Sequence, residues 1–362
     1  MVGGVRLDVI FSPGHTPEHI MFLLTDSNTD KPYALFSGDC LFVGDMGRPD
    51  LLETFISAEN DRVTGAKRQY ANMLRLKEMS DYIQVFPGHG AGSACGKALG
   101  AVPSSTLGYE KLVNPAFQQP DEESFVNWLL AGQPEAPAYF ARMKIVNQVG
   151  PSLLADLDLP QNLDVRTLDS LLDDDNVMVI DARAPKDFAA GHIAGAFHMP
   201  GTSDLFSTYV GWYVDYDQPV YLIAEEGDIP RLIHELRAIG VDNLPGYFIA
   251  SELDAMTAKL EQVNAQTALQ MQKDGATILD VRNQTERDEQ YIPGSQFIPL
   301  GYIMRHLDEI PRDRRVIVHC NGGVRSQVVA SVLRKQGFTN IENLEGGIDA
   351  WKRANLPLKT DG

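Results

Sequence analysis

Apolar residues follow two spacings along this chain. In the C-terminal two-thirds, short unbroken runs alternate with stretches of helical period. Residues 177–180, 220–223, 277–281 and 316–319 are such runs, and they predict buried strands. After the last of them, Val328, Val329, Val332 and Leu333 fall at i, i+1, i+4 and i+5. That spacing predicts an amphipathic helix, with Gly337 at the C′ position that favours a left-handed backbone. Leu232, Ile233 and Leu236 repeat the pattern ahead of Gly240. Strands alternating with helices predict an α/β sheet with helices on its faces.

These elements also recur as an internal repeat. Val179-Ile-Asp-Ala-Arg183 matches Ile278-Leu-Asp-Val-Arg282, and Asp181 and Asp280 stand 99 residues apart. Gly191 to Pro200 matches Gln290 to Pro299 at the same offset. Val220-Tyr-Leu-Ile223 matches Val316-Ile-Val-His319, and Leu236 to Gly240 matches Leu333 to Gly337. Each copy is therefore one compact module. The N-terminal third is different. It is rich in glycine and places histidines in turns, at Ser12-Pro-Gly-His-Thr-Pro17 and Phe86-Pro-Gly-His-Gly90. Residues 20–24 and 33–36 predict strands flanking a turn. Residues 116–163 mix loops with a helix over 122–130 and read as the close of the first domain plus a linker. The expected domains are 1–157, 158–262 and 263–362.

Charge and cysteine usage narrow the function classes. Thirty-one Lys+Arg against 49 Asp+Glu give a net charge of −18. Nucleic acid and anionic membrane surfaces both call for a basic face, so neither is an expected partner. No apolar run approaches the roughly 20 residues of a membrane span. The first residues do not follow the charged-then-apolar pattern of a signal peptide. Three cysteines, at 40, 95 and 320, are too few and too odd for a disulfide scaffold. They predict a reducing, cytoplasmic setting in which a thiol can act as a nucleophile.

The sharpest chemistry lies in Cys320-Asn-Gly-Gly-Val-Arg-Ser326, between a buried strand and a helix. Gly322 and Gly323 let the backbone curl so that its N–H groups point inward, and such a nest at a helix N-terminus binds anions. A thiolate at its mouth is stabilised, which makes Cys320 the candidate nucleophile. Arg325 adds a fixed positive charge and reads as an anion clamp. Asn321, Gly322, Gly323, Val324 and Ser326 are the candidate substrate-binding positions, with Ser326 also suited to cap the helix. In the first copy the corresponding loop is Ala224-Glu-Glu-Gly-Asp-Ile-Pro-Arg231. Ala224 stands at the nucleophile position, three acidic residues line the loop, and Pro230 removes a backbone N–H. A thiol-free, negative loop predicts an inactive module.

With Asp280-x-Arg282, Ile292-Pro-Gly294, the cysteine loop and Leu344-Glu-Gly-Gly-Ile-Asp-Ala-Trp351 in this order, the second copy resembles the rhodanese family of sulfurtransferases. The resemblance implies that Cys320 carries sulfane sulfur as a persulfide and passes it to a thiophile, with no cofactor. Thiosulfate, persulfides, sulfite and low-molecular-weight thiols are the implied partners. Cys320 and Arg325 enclose four residues, where cysteine phosphatases enclose five, so the cradle favours sulfur over phosphate. A rhodanese-like pair serving only as a binding scaffold is the non-enzymatic alternative.

His15, Asp39 and His89 come from three separate turns, and imidazole and carboxylate are common ligands of Fe(II) and Zn. Pro13-Gly-His-Thr-Pro17, Gly38-Asp39 and Pro87-Gly-His-Gly90 together resemble the second half of the metallo-β-lactamase αββα sandwich. The run from Gly38 to Leu51 is similar to the branch of persulfide dioxygenases and glyoxalase II-like hydrolases. Followed by Gly92-Ser-Ala-Cys-Gly-Lys97 and two rhodanese-like modules, it resembles a persulfide dioxygenase fused to an inactive and then an active rhodanese. The resemblance implies that His15 and Asp39 hold Fe(II) (or Zn), with His89 as a further candidate. The family's first motif, His-x-His-x-Asp-His, is absent, since no two of the eight histidines are two apart. The expectation is therefore an N-terminally truncated half-sandwich. Its uncovered apolar strand faces predict association, as a homo-oligomer or with another partner, or poor solubility. His19, Cys40 and Cys95 read as structural, and Arg48 and Asp50 as an entrance pair or simply each other's partner.

Overall fold

A computed structural model describes residues 3–52, 61–90, 93, 95–97, 100–133, 137, 139–172, 174, 176–253 and 258–360. The chain forms two compact units, Met1–Ala136 and Pro137–Gly362. None of the described helices is long and apolar enough to cross a membrane.

The first unit is built on a five-stranded sheet, ordered Val5–Phe11, Ile20–Asp26, Pro32–Gly38, Gln84–Pro87, Ser105–Thr106. Alternation along these strands gives the sheet two unlike faces. Ile10, Met21, Leu35 and Val85 are buried against the helix Asp61–Lys77 and the helix Glu122–Leu130. On the other face Val9 pairs with Phe22, Phe22 with Phe36 and Phe36 with Phe86, and all four are exposed. The strand face expected to lie uncovered is thus a continuous apolar row. The unit closes at Ala136, earlier than the boundary expected at residue 157. Physically, the following helix Tyr139–Val149 belongs to the second unit, where Arg142 sits over the Tyr216 ring.

The second unit holds two five-stranded parallel sheets of the same topology. In the first copy the order is Phe197–His198, Met178–Asp181, Val220–Ala224, Gly246–Ile249, Gln161–Asn162. In the second, from the corresponding edge, it is Gln296–Phe297, Thr277–Asp280, Val316–His319, Ile341–Leu344, Gln262–Val263. The central strands are buried on both faces, as unbroken apolar runs require when helices cover a parallel sheet. The helix Val324–Lys335 carries the predicted stripe, and Gly337 follows it in the left-handed region. One apolar core runs through both copies, and His198 of the first donates its backbone N–H to the Ser331 hydroxyl of the second.

Strand register fixes the correspondence between the two loops. Ile223 lies opposite Asp181, and His319 lies opposite Asp280. The next residue is Ala224 in the first copy and Cys320 in the second.

Candidate functional site

Cys320 leaves the end of its strand with 2% of its surface exposed. Gly323 is the N-cap of the following helix at φ +100°, a left-handed conformation that L side chains avoid. That turn brings its N–H to 3.1 Å from the Cys320 sulfur. The loop is clamped from behind by the helix Gly347–Arg353, where Ile348 and Asp349 donate their N–H groups to the Cys320 and Asn321 carbonyls. The approach is so close that a Cβ on Gly347 would lie 2.3 Å from the Cys320 carbonyl oxygen. In front, Gly322 is exposed and has no neighbour where a side chain would begin, so this is the open side of the loop. Asn321 and Val324 flank it, half-buried.

Two expectations for this loop need correction. Ser326 does not cap the helix, because Gly323 takes the cap position and Ser326 lies within the first turn. Its hydroxyl points instead at the Cys320 sulfur, at 3.6 Å. Arg325 is not a free anion clamp. Glu286 holds its guanidinium through two hydrogen bonds of 2.6 Å each. Burial works against the charge on Arg325, but the hydrogen bond to Glu286 and the proximity of Cys320 strengthen its hold on the proton. Burial likewise opposes the Glu286 charge, and Arg325 outweighs it and holds the carboxyl below its ordinary range. The net result is a buried-edge ion pair beside the thiol, with the unused edges of the guanidinium left to position an anion.

Beneath the loop, Asp280 is fully buried and receives Arg282 at both oxygens, at 2.9 and 2.7 Å. Arg287 reaches the same carboxylate at 3.3 Å. The first copy repeats the arrangement with Arg183 on Asp181. Its loop does not repeat the cradle. Residues Glu226–Asp228 form a single 3-10 turn, with Pro230 at the start of the next helix, and Arg231 is taken up by Asp228 and Glu235.

In the first unit the structure brings His15, Asp39 and His89 together. His15 Nε2 lies 3.1 Å from one Asp39 oxygen, and His89 Nε2 lies 3.3 Å from the other. His15 Nδ1 donates to the Arg48 carbonyl at 2.8 Å, which fixes the ring with Nε2 facing the carboxylate. A backbone carbonyl on the far nitrogen is the usual device for orienting a metal-binding imidazole. Burial opposes ionisation of Asp39, yet His15 and His89 hold its pKa well below the carboxylate range. His89 is pushed up to about 10 by Asp39 and then by Cys95. The donor set of two imidazoles and a carboxylate, with one imidazole pre-oriented, fits a divalent Fe or Zn ion.

Two residues read from the sequence as structural turn out to belong here. The Cys95 sulfur, an Asp39 oxygen and a His89 nitrogen lie within 4.8 Å of one another. Its neighbours Gly92 and Ala94 in the quoted motif lie outside the described residues. His19 accepts the Asp39 backbone N–H at Nε2 and bonds the Ser12 hydroxyl through Nδ1, so it holds the aspartate turn in place. The four-residue spacing from His15 is a hint, but only the sheet pairing puts His19 against Asp39. Cys40 is buried with its pKa pushed up to about 12, its thiol on Gln69. Arg48 and Asp50 pair with each other, at 2.6 and 2.8 Å.

Known proteins carry the same parts. The rhodanese-like domain family matches residues 164–246 and again 264–354. A crystal structure of a metallo-beta-lactamase from Staphylococcus aureus is 39% identical and covers 69% of this chain and 68% of its own, with a TM-score of 0.60. The chain is a metallo-β-lactamase/rhodanese fusion. A sulfurtransferase of Allochromatium vinosum is 37% identical to the fusion over 81 residues, 22% of this chain and 76% of its own length. The thiosulfate sulfurtransferase GlpE of Actinobacillus pleuropneumoniae is 32% identical over 90 residues, 25% of this chain and 83% of its own. With two rhodanese-like domains and such relatives, the fusion is an enzyme of sulfurtransferase type.

Proposed function

We propose that the fusion moves sulfane sulfur through a persulfide on Cys320. The Cys320 thiolate attacks the outer sulfur of a donor such as thiosulfate. The donor S–S bond breaks, its electron pair leaves on sulfite, and Cys320 keeps the sulfur as a persulfide. A thiol acceptor then attacks that sulfur and returns Cys320 to the thiolate. The Gly323 N–H at 3.1 Å carries this reading, because a donor aimed at sulfur stabilises an anion there. The Ser326 hydroxyl adds a second such donor. The test is mass spectrometry of the intact chain after exposure to thiosulfate. Wild-type protein is expected to gain the mass of one sulfur at Cys320 and Cys320→Ser to gain none. Equal labelling of the two would sink the reading.

A second reading concerns the first unit and is favoured by the convergence of His15, Asp39 and His89. We infer that these residues hold Fe(II) or Zn, and that a persulfide is the substrate there, as the resemblance to persulfide dioxygenases suggests. When bound, such an ion supplies Lewis acidity and, in the case of iron, a site for O2 chemistry. The chain itself contributes orientation. Arg48 fixes the His15 tautomer, and His19 holds the Asp39 backbone. Anaerobic Fe(II) titration followed by metal analysis is expected to find retained iron in the parent and little in Asp39→Ala. Iron lost equally from both on desalting would count against it.

A further inference from the structure

Asp39 carries an imidazole on each of its oxygens, His15 on one and His89 on the other. On the His89 side there is a third donor. The Cys95 sulfur, a His89 nitrogen and an Asp39 oxygen all lie within 4.8 Å of one another. The three residues come from separate places in the first unit. Asp39 follows the strand Pro32–Gly38, His89 follows the strand Gln84–Pro87, and Cys95 stands in the loop beyond. The two strands are parallel neighbours, and Gly88 donates its N–H to the Gly38 carbonyl at 2.9 Å. A Cβ on Gly88 would lie 2.7 Å from the same Asp39 oxygen that His89 meets, so the turn closes only with glycine there.

Backbone contacts brace Cys95 in this position. Arg48 donates its N–H to the Cys95 carbonyl at 3.3 Å, and the Arg48 carbonyl receives His15 Nδ1 at 2.8 Å. One backbone residue thus ties down both the thiol and the pre-oriented imidazole. Cys95 donates its own N–H to the Ser93 hydroxyl at 3.2 Å. Two residues on, the Lys97 N–H donates to the buried Asp45 carboxylate at 2.7 Å. Cys40, in the same unit, shows the contrast: its thiol is fully buried and donates to the Gln69 side chain. Zinc takes thiolate sulfur at about 2.3 Å and imidazole nitrogen at about 2.0–2.1 Å, so donors within 4.8 Å of one another need little closure to share one ion. We propose that Cys95 is a thiolate ligand of the divalent ion held by Asp39 and His89. The proposal rests on the metal reading of the first unit. On binding, the thiol proton is released to water and the sulfur donates a lone pair, with nothing oxidised or reduced.

The test loads the full-length chain anaerobically with Co(II), a spectroscopic stand-in for Fe(II) and Zn. A thiolate on cobalt gives an intense charge-transfer band in the near ultraviolet, apart from the weaker visible bands of the ion itself. The parent is expected to show both, and Cys95→Ser to lose the first while keeping the second at raised cobalt. Its affinity for cobalt is expected to fall by about tenfold or more, the scale already reached by losing a partner outside the ligand set. A second measurement uses the parent alone. Each cysteine is alkylated with iodoacetamide, with and without cobalt, and read by peptide mass spectrometry. Cobalt is expected to shield Cys95 and to leave Cys320 as reactive as before. Bound cobalt without the charge-transfer band, a band unchanged in Cys95→Ser, or alkylation of Cys95 unaffected by bound cobalt overturns the proposal and leaves the metal reading standing. A parent that retains neither cobalt, iron nor zinc overturns both.

Discussion

The two rhodanese copies share a framework and differ in one turn. Asp181–Arg183 and Asp280–Arg282 are matching buried pairs, each Arg also donating to a carbonyl, of Gly191 in one and Gln290 in the other. The strands pair in the same order and the same register. At the loop the copies part. One carries a thiol facing the Gly323 N–H, and the other carries Ala224 followed by an acidic 3-10 turn. The buried ion pair is thus common to both copies, and the turn after the strand is where they differ.

The largest effect in this comparison is expected on the shared element. Removing one partner of a buried pair leaves an uncompensated charge, at a cost of about 3–5 kcal/mol. Arg183→Ala and Arg282→Ala should each destabilise their own module on this scale. The losses should not be equal. Asp280 keeps Arg287 at 3.3 Å, so the second copy retains a counter-charge after Arg282 is cut. Burial opposes the charge on Asp280, and the hydrogen bonds from Arg282 hold its pKa low against it. Hydrogen exchange resolved by module is the measurement. A larger loss of protection in the second copy than in the first would break the ordering.

Much of the framework was legible in the sequence. The runs at 220–223 and 316–319 are the central strands, and the apolar spacing ahead of Gly337 is the helix Val324–Lys335. The alignment of Ala224 with Cys320 holds in the strand register. These features are local, and periodicity records local environment. What escaped was the pairing of groups remote in sequence. Glu286 takes the Arg325 guanidinium across 39 positions. It can do so because the helix Gln284–Glu289 and the cysteine loop both follow the C-terminal ends of neighbouring strands. Ser326 looked like a cap because serine favours caps, but a glycine at φ +100° already occupied that place. Cys95 joined Asp39 and His89 through a loop whose path has no period to read.

The smallest expected effect is none at all, from restoring a thiol to the first copy. Ala224→Cys places a sulfur where Cys320 stands in the second, on an equivalent strand end. If the thiol alone made the site, this variant would load two sulfurs per chain. The turn argues otherwise. Glu225, Glu226 and Asp228 surround the position with negative charge, which disfavours a thiolate and repels an anionic donor. Pro230 has no N–H to give, and Asp228 and Glu235 engage Arg231. The variant is expected to carry sulfur at Cys320 only, with the introduced thiol unlabelled, in the same mass-spectrometric assay. Labelling of the introduced thiol at a rate comparable to Cys320 would show that the strand end, and not the curled backbone after it, activates the sulfur.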